Sequence, residues 1–303
     1  MFDTIRVAAI SFEPWKWHKP ENTERFVDLC RTAATTGAQL IVGPESTLDG
    51  YVTGDAIDCP ELRPRALALA EPLEGAFLGA VRALAAELAV CIVLGFLERT
   101  GPDTAHNAAV LIDPRGAIAG HYHKMQFGEG YEPDWSFCRL GKTVRAFESP
   151  LGRCGLLICH DRRSLQLARA LVLDGARFLC IPTHGNRRPE QDRFVLARAR
   201  ENGVPIVQAN VGQTLIVSRG EVVARDQGYD LITVADMDVP WPPGEAAARR
   251  VEQAFLDARP DYLREQLAVY NEPARVAQRG RERTQQRPPQ WGAATIRDHT
   301  RQS

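Results

Sequence analysis

Short apolar runs alternate with amphipathic stretches along the first part of this sequence. Residues 5–11 (IRVAAIS) and 38–42 have the composition of buried strands, and residues 21–36 between them have helical spacing and end before Gly37. A strand, a helix and a second strand in succession are typical of a parallel β-α-β unit. The same order recurs at 153–158, 164–174 and 177–182. This alternation predicts an α/β fold with a mixed sheet or sheets.

The sequence also contains a hairpin signal and one change of character. Asp-Pro-Arg-Gly at 113–116 separates two strand-like runs and predicts a hairpin. No break in composition occurs before about residue 240, so we predict one α/β domain over residues 1–240. Residues 241–303 carry a helical stretch at 245–257 and become rich in Arg and Gln from Arg275. We expect this C-terminal extension to be extended and packed on a partner subunit, or partly disordered.

Charge, hydropathy and cysteine usage exclude several classes of protein. The net charge of −1 provides no field that would attract nucleic acid or a membrane surface. The first residues do not resemble a signal peptide, and the longest apolar stretch is too short to span a bilayer. Seven cysteines without a Cys-x-x-Cys pair predict a cytoplasmic protein. His121 and His123 have no evident third ligand, so no metal site is predicted.

Three polar residues follow apolar strand-like runs, at the kind of position where α/β folds collect active-site groups. Glu45 follows LIVGP, Lys124 follows the run 117–123, and Cys159 follows GLLI. Taken singly, each has an ordinary structural explanation as a helix cap, a surface lysine or a core thiol. Together they provide a base, a cation and a nucleophile. This combination predicts an acyl-transfer site.

The motifs around these residues resemble those of the nitrilase, or carbon–nitrogen hydrolase, superfamily. The three central motifs are QLIVGPESTLDGY (39–51), GHYHKMQFGEG (120–130) and GRCGLLICHDRR (152–163). The supporting matches are HNAAVLIDPRG (106–116), DGARFLCIPTHG (174–185) and ARARENGVPIVQANVG (197–212). The order and spacing of the motifs fit the superfamily over roughly residues 5–240.

The resemblance implies a four-layer αββα sandwich built from two six-stranded sheets. It implies that Cys159 is the nucleophile, that Glu45 is the general base, and that Lys124 stabilises the tetrahedral intermediate. It implies no metal or organic cofactor, and a homodimer or higher homo-oligomer.

Many members of the superfamily also use a second glutamate after the lysine. Glu129, Glu132 and Asp134 all compete for this place. Glu132 is preferred because it lies nearest the family's position ahead of the aromatic residue, here Phe137.

The residues after Cys159 bear on the substrate. True nitrilases usually have Trp-Glu there, whereas this chain has His160-Asp161, which argues against a nitrile. The run 159–163 (CHDRR) is similar to Cys-Asn-Asp-Arg-Arg of N-carbamoyl-D-amino acid hydrolases, whose second arginine grips the substrate carboxylate. Arg163 would have that role, or it is structural. His160 and His184 are candidate substrate-binding residues, although either would also satisfy a local hydrogen bond.

The predicted function is therefore that of a cysteine-dependent hydrolase. It would cleave a non-peptide C–N bond of a small amide or N-carbamoyl compound through a thioester intermediate. The alternatives are an acyltransferase that uses the same thioester, and a nitrilase.

Overall fold

Strands and helices alternate through the residues that the computed structural model describes, which are 2–130, 137–185, 189–240, 248–271 and 291–300. The strands are β1 Phe2–Ser11, β2 Leu40–Val42, β3 Cys91–Arg99, β4 Ala105–Ile112, β5 Ile118–His123, β6 Cys138–Arg139, β7 Ala146–Phe147, β8 Cys154–Leu156, β9 Phe178–Thr183, β10 Ile206–Asn210, β11 Gln213–Ser218, β12 Glu221–Gln227, β13 Leu231–Pro240 and β14 Thr295–Asp298. The α-helices are α1 Lys19–Ala34, α2 Val52–Asp58, α3 Arg63–Leu69, α4 Ala76–Leu88, α5 Leu165–Leu173, α6 Pro189–Asn202 and α7 Ala248–Tyr270. Short 3-10 turns lie at Pro60–Leu62 and Cys159–Arg163.

The strands form two sheets that pack face to face. The first sheet has the order β14-β13-β1-β2-β3-β4-β5, with β6 beside β4, and the second has the order β12-β11-β10-β9-β8-β7. Val7 and Ala9 of β1 share one buried cluster with Leu179 and Ile181 of β9, so this cluster lies between the sheets. Sheets that bury their inner faces against each other form the central layers of a sandwich.

Helices cover the outer faces of both sheets. Ile10 of β1 points away from the second sheet and packs in a separate cluster with Phe26 of α1 and Leu84 of α4. Leu171 of α5 and Ala199 of α6 pack on the strands of the second sheet. Because both faces of these strands are covered, their sequences are continuously apolar. The predicted αββα sandwich is confirmed.

The first sheet is larger than the expected six strands. The short strand β6 pairs with β4, and β14 of the C-terminal extension adds in parallel to β13 with Leu231 opposite Thr295. The expected count was therefore wrong for this sheet, which has eight strands. A four-residue edge strand carries too little apolar pattern to be recognised in the sequence.

The helix of the extension is also longer than the predicted 245–257. It spans Ala248–Tyr270 because Phe255 and Leu263, which lie at helical spacing, are both buried. Helix α7 packs on α5 of the same chain, so this part of the extension is helical rather than extended. The Arg- and Gln-rich run at 272–290 lies outside the described residues, and contact with a partner subunit stays a prediction. None of the described helices combines the length and apolar character needed to cross a bilayer.

The loop that carries Glu45 rests directly on the backbone of β3. The Gly95 N–H donates to the Pro44 carbonyl at 3.1 Å, and the Gly95 carbonyl accepts from the Thr47 N–H at 2.8 Å. A Cβ atom at position 95 would lie 2.7 Å from the Cα of Glu45, which is closer than real Cβ contacts. The Glu45 loop can approach β3 this closely because position 95 is a glycine.

We expect Gly95→Ala to lower both the thermal unfolding midpoint and kcat/KM, because the added methyl group must displace the Glu45 backbone. Overpacking of this kind costs about 1–3 kcal/mol. Gly79→Ala in α4 is the matched control, since its Cβ would meet nothing within 4 Å and alanine favours a helix. Wild-type activity and stability in Gly95→Ala would contradict the proposed packing constraint.

Candidate active site

The two sheets bring Glu45, Lys124 and Cys159 into one site. Glu45 lies in the loop after β2, Lys124 directly follows β5, and Cys159 begins the 3-10 turn after β8. The Lys124 Nζ donates to Glu45 Oε1 at 2.6 Å, and both side chains are buried. The Cys159 side chain is partly accessible, as a nucleophile that meets a substrate must be.

Asn107 of β4 holds the glutamate and the lysine together. Its Nδ2 donates to Glu45 Oε1 at 2.7 Å, and its carbonyl accepts from the Lys124 N–H at 2.8 Å. The sequence did not identify Asn107 as a site residue, although it lies in HNAAVLIDPRG (106–116), one of the motifs that carry the resemblance. A polar residue at an otherwise apolar strand position was the available signal.

His184, directly after β9, connects Glu45 to Cys159 through its backbone. Its N–H donates to Glu45 Oε2 at 2.9 Å, and its carbonyl accepts from the Cys159 Sγ at 3.6 Å. The backbone of His184 therefore lies in the candidate site, and the role of its ring in substrate binding stays a prediction. Its ring stacks on Tyr51 with 4.8 Å between ring centroids.

The electrostatics of the site keep Lys124 charged. Burial is the largest single influence on Lys124 and lowers its pKa, but the charge and hydrogen bond of Glu45, together with the charges of Cys159 and Glu129, outweigh burial and raise the pKa above its ordinary value. A buried ammonium that remains protonated can stabilise a developing oxyanion.

The surroundings of Cys159 favour the neutral thiol over the thiolate. Removal from water and the nearby charge of Glu45 raise its pKa, and Lys124 and Arg162 offset this only in part. The thiol is therefore the resting form at neutral pH, and a base is needed when it attacks.

The turn that carries Cys159 is strained and firmly held. Cys159 has φ +46°, a left-handed conformation that is costly for a residue with a side chain. The Arg162 Nη1 donates to the Cys159 carbonyl at 2.7 Å and lies 3.4 Å from Sγ. Such strain persists only where the surroundings fix the backbone.

Asp161 ties this turn to the segment around Lys124. Its carboxylate accepts from the Tyr122 hydroxyl at 2.8 Å, the Gln126 N–H at 2.9 Å and the Ile158 N–H at 3.1 Å. These bonds join the turn after β8 to both sides of Lys124. Asp161 and Tyr122 lay inside the quoted motifs, but their pairing depends on how the two sheets dock.

The structure places one candidate for the second glutamate at the site. The Tyr51 hydroxyl donates to Glu129 Oε1 at 2.9 Å, and the Tyr51 ring lies 5.8 Å from Lys124 Nζ. Glu132, the preferred candidate, and Asp134 lie outside the described residues. The choice of Glu132 stays a prediction.

His160 and Arg163 occupy different surroundings. Burial and the charges of Lys124 and Arg163 lower the pKa of His160 well below its ordinary value, so the ring is neutral at pH 7. Arg163 is exposed, and its guanidinium stacks over the Phe194 ring at 4.8 Å. It lines an open groove of about 470 Å³ together with Gln191, Arg193, Phe194, Ala197 and Arg198. The binding of a substrate carboxylate by Arg163 stays a prediction.

Comparison with known proteins defines the class of this chain. The family model for carbon–nitrogen hydrolases matches residues 6–239. The chain therefore belongs to the carbon–nitrogen hydrolase family of the nitrilase superfamily, and it is an enzyme of that family.

Individual relatives include both amidases and nitrilases. An N-carbamoylputrescine amidase from Arabidopsis thaliana is 27% identical over 80% of this chain and 88% of its own length. A bifunctional nitrilase/nitrile hydratase from Oryza sativa is 28% identical over 68% of this chain, and the match spans only 60% of that relative. An amidase from Nesterenkonia sp. AN1, whose structure shows the acetamide moiety of fluoroacetamide added at its active-site cysteine, matches with a TM-score of 0.65. It is 21% identical over 84% of this chain and 95% of the neighbour, and it supports the fold.

We expect the alkylation of Cys159 by iodoacetamide to accelerate with pH up to and beyond 9.0, because the pKa of this thiol is raised above that ordinary value. Peptide mass spectrometry separates Cys159 from the partly exposed Cys59, which serves as the comparison within the same chain. A rate for Cys159 that levels off below pH 7 would show a resting thiolate and contradict the charge assignment.

Proposed function

We propose that this enzyme is a cysteine-dependent hydrolase that cleaves the C–N bond of a small amide or N-carbamoyl compound through a thioester. One observation carries the proposal. Glu45 contacts Lys124 directly, and it is connected to Cys159 through the backbone of residue 184. The arrangement offers a base, a permanent cation and an accessible thiol around one reacting carbon.

In the first half of the reaction, Glu45 takes the proton of the Cys159 thiol. The sulfur attacks the carbonyl carbon, and the carbonyl oxygen becomes an oxyanion. Lys124 and the backbone N–H of His160 stabilise this oxyanion. Because Lys124 is buried and already charged, it requires little reorganisation as the negative charge develops.

In the second half, the tetrahedral intermediate breaks down to a thioester. The nitrogen leaves as ammonia or an amine and takes the proton from Glu45. Glu45 then removes a proton from water, which attacks the thioester and releases the acid and the free thiol. A carbamoyl substrate follows the same steps, and the carbamate it releases loses carbon dioxide.

The sequence after the nucleophile and the named relatives support an amide or carbamoyl group. His160-Asp161 replaces the Trp-Glu that is usual in nitrilases. One relative is an N-carbamoylputrescine amidase, and the Nesterenkonia neighbour is an amidase with an acetamide moiety at its cysteine. Another relative is a nitrilase/nitrile hydratase, so nitriles belong in any substrate panel.

The reaction class is tested by measuring the release of ammonia from a panel of amides, ureides and nitriles. We expect turnover of an amide or ureide, an acyl adduct on Cys159 by mass spectrometry, and loss of both in Cys159→Ala. Faster turnover of nitriles would favour a nitrilase. An adduct that only an amine discharges would favour an acyltransferase, and either result would overturn the proposal.

The role of Glu45 is tested with Glu45→Gln, which keeps the size of the side chain but removes the base. We expect kcat/KM to fall by about 10²–10⁴ while the protein remains folded. Glu71→Gln is the matched control. Glu71 is also buried and forms an ion pair, with 2.7 Å between its Oε2 and the Lys19 Nζ, but this pair does not belong to the candidate active site. Full activity in Glu45→Gln, or an equal loss in Glu71→Gln, would refute the assignment.

The role of Arg163 in substrate binding is tested with Arg163→Ala and paired substrates. If Arg163 binds a carboxylate, KM rises about tenfold or more for amides that carry a carboxylate and stays unchanged for neutral amides. Arg193→Ala, in the same groove, is the control. An equal effect on both substrate classes would assign a structural role to Arg163.

A further inference from the structure

A cluster of titratable side chains lies on the first sheet, whereas Cys159 follows a strand of the second. Glu98 of β3, His121 of β5 and His123 of β5 point to one place, although β4 separates their strands. The His121 Nε2 lies 2.6 Å from Glu98 Oε2, and the His123 Nε2 lies 2.8 Å from the same oxygen. One nitrogen from each ring and a carboxylate oxygen all lie within 4.8 Å of one another.

The register of the strands explains why these residues meet. Glu98 pairs with His106 across β3 and β4, and His123 pairs with Ala108 across β4 and β5. Because His106 and Ala108 lie two residues apart on β4, the paired side chains project from the same face. His121 is two residues from His123 and shares that face.

The charge and accessibility of the cluster are those of a ligand site. The Glu98 side chain is 5% exposed, whereas the His121 and His123 rings are 29% and 25% exposed and can be reached from solvent. Within the described residues, the ion pairs of Glu98 are with these two histidines and not with a lysine or arginine. A buried carboxylate without a permanently charged partner favours the binding of a cation.

We propose that Glu98, His121 and His123 bind a divalent transition-metal ion of the Zn²⁺, Co²⁺ and Ni²⁺ class. Two imidazole nitrogens and one carboxylate oxygen are ligands that these ions accept, whereas Ca²⁺ and Mg²⁺ prefer oxygen ligands alone. Metal–ligand bonds of about 2.0–2.2 Å bring such ligand atoms to roughly 3.3 Å from one another, so small rotations of the two rings complete the site. Water would fill the remaining coordination.

His106 contributes to the site by packing. Its ring stacks on His123 with 3.9 Å between centroids, and its Nδ1 lies 2.9 Å from the Thr100 hydroxyl. These contacts fix one face of the His123 ring. Residues that orient a ligand in this way strengthen a metal site.

The site has a structural consequence that does not depend on the chemistry at Cys159. A metal held by β3 and β5 would fasten the edge strand to the sheet across β4. Binding of an ion to the folded state alone raises the thermal unfolding midpoint. We expect this rise with Zn²⁺ whether or not the enzyme is active.

The test uses tag-free protein in a Cys159→Ala background, which removes the accessible thiol of the candidate active site. After dialysis against EDTA, Zn²⁺ is titrated calorimetrically, and Co²⁺ is followed by its visible absorption. We expect one equivalent to bind, and His121→Gln and His123→Gln each to weaken binding by at least about tenfold. Glutamine retains a hydrogen-bond donor toward Glu98, so these variants should remain folded.

His299→Gln is the matched control, because the His299 Nε2 also lies 2.8 Å from a carboxylate, that of Asp226, but without a second histidine beside it. We expect His299→Gln to leave the affinity for Zn²⁺ unchanged. Absence of saturable binding in the Cys159→Ala protein, or equal affinity in the His121 and His123 variants, would overturn the proposal and leave a network held by hydrogen bonds alone. Hydrolytic activity is not part of this test, so its outcome is independent of the proposed function.

Discussion

The buried ion pair between Glu45 and Lys124 is the constraint on which the rest of the site depends. Breaking such a pair by removing one partner costs about 3–5 kcal/mol, because the remaining charge stays buried. Asn107 and the backbone N–H of His184 satisfy the glutamate oxygens that the lysine alone cannot. The pair joins the ends of β2 and β5, which are separated in the sheet by β3 and β4. The charges therefore fix the relative placement of the loops at this end of the first sheet.

The catalytic candidates come from both sheets, so the packing of the sandwich assembles the site. Glu45, Asn107 and Lys124 follow or belong to strands of the first sheet, whereas Cys159 and His184 follow strands of the second. Close approach of the layers is visible at Gly95, where an added Cβ would lie 3.3 Å from the side chain of Pro182 in β9. A change far from the chemistry that alters the spacing of the sheets would therefore alter the site.

The sequence predicts the parts of this structure that depend on local patterns. The main strands follow from the apolar runs, whereas the sandwich and the roles of Glu45, Lys124 and Cys159 follow from the resemblance that the motifs carry. The partners that depend on strand register were not predictable, because Glu98 lies more than twenty residues from His121 and His123 and joins them only across β4. The hydrogen bond between Tyr122 and Asp161 was not predictable either, because it joins the two sheets and depends on how they pack.

The pairing of β1 with β13 has a consequence for the way the chain acquires its structure. Phe2 lies opposite Pro240, and β1 sits between β13 and β2 in the sheet. During synthesis β1 can therefore pair with β13 only after more than two hundred further residues have been added to the chain. Contacts of such long sequence separation slow folding and leave strand edges exposed in the meantime. Until β13 has been made, the edge of β1 that pairs with it therefore stays unpaired.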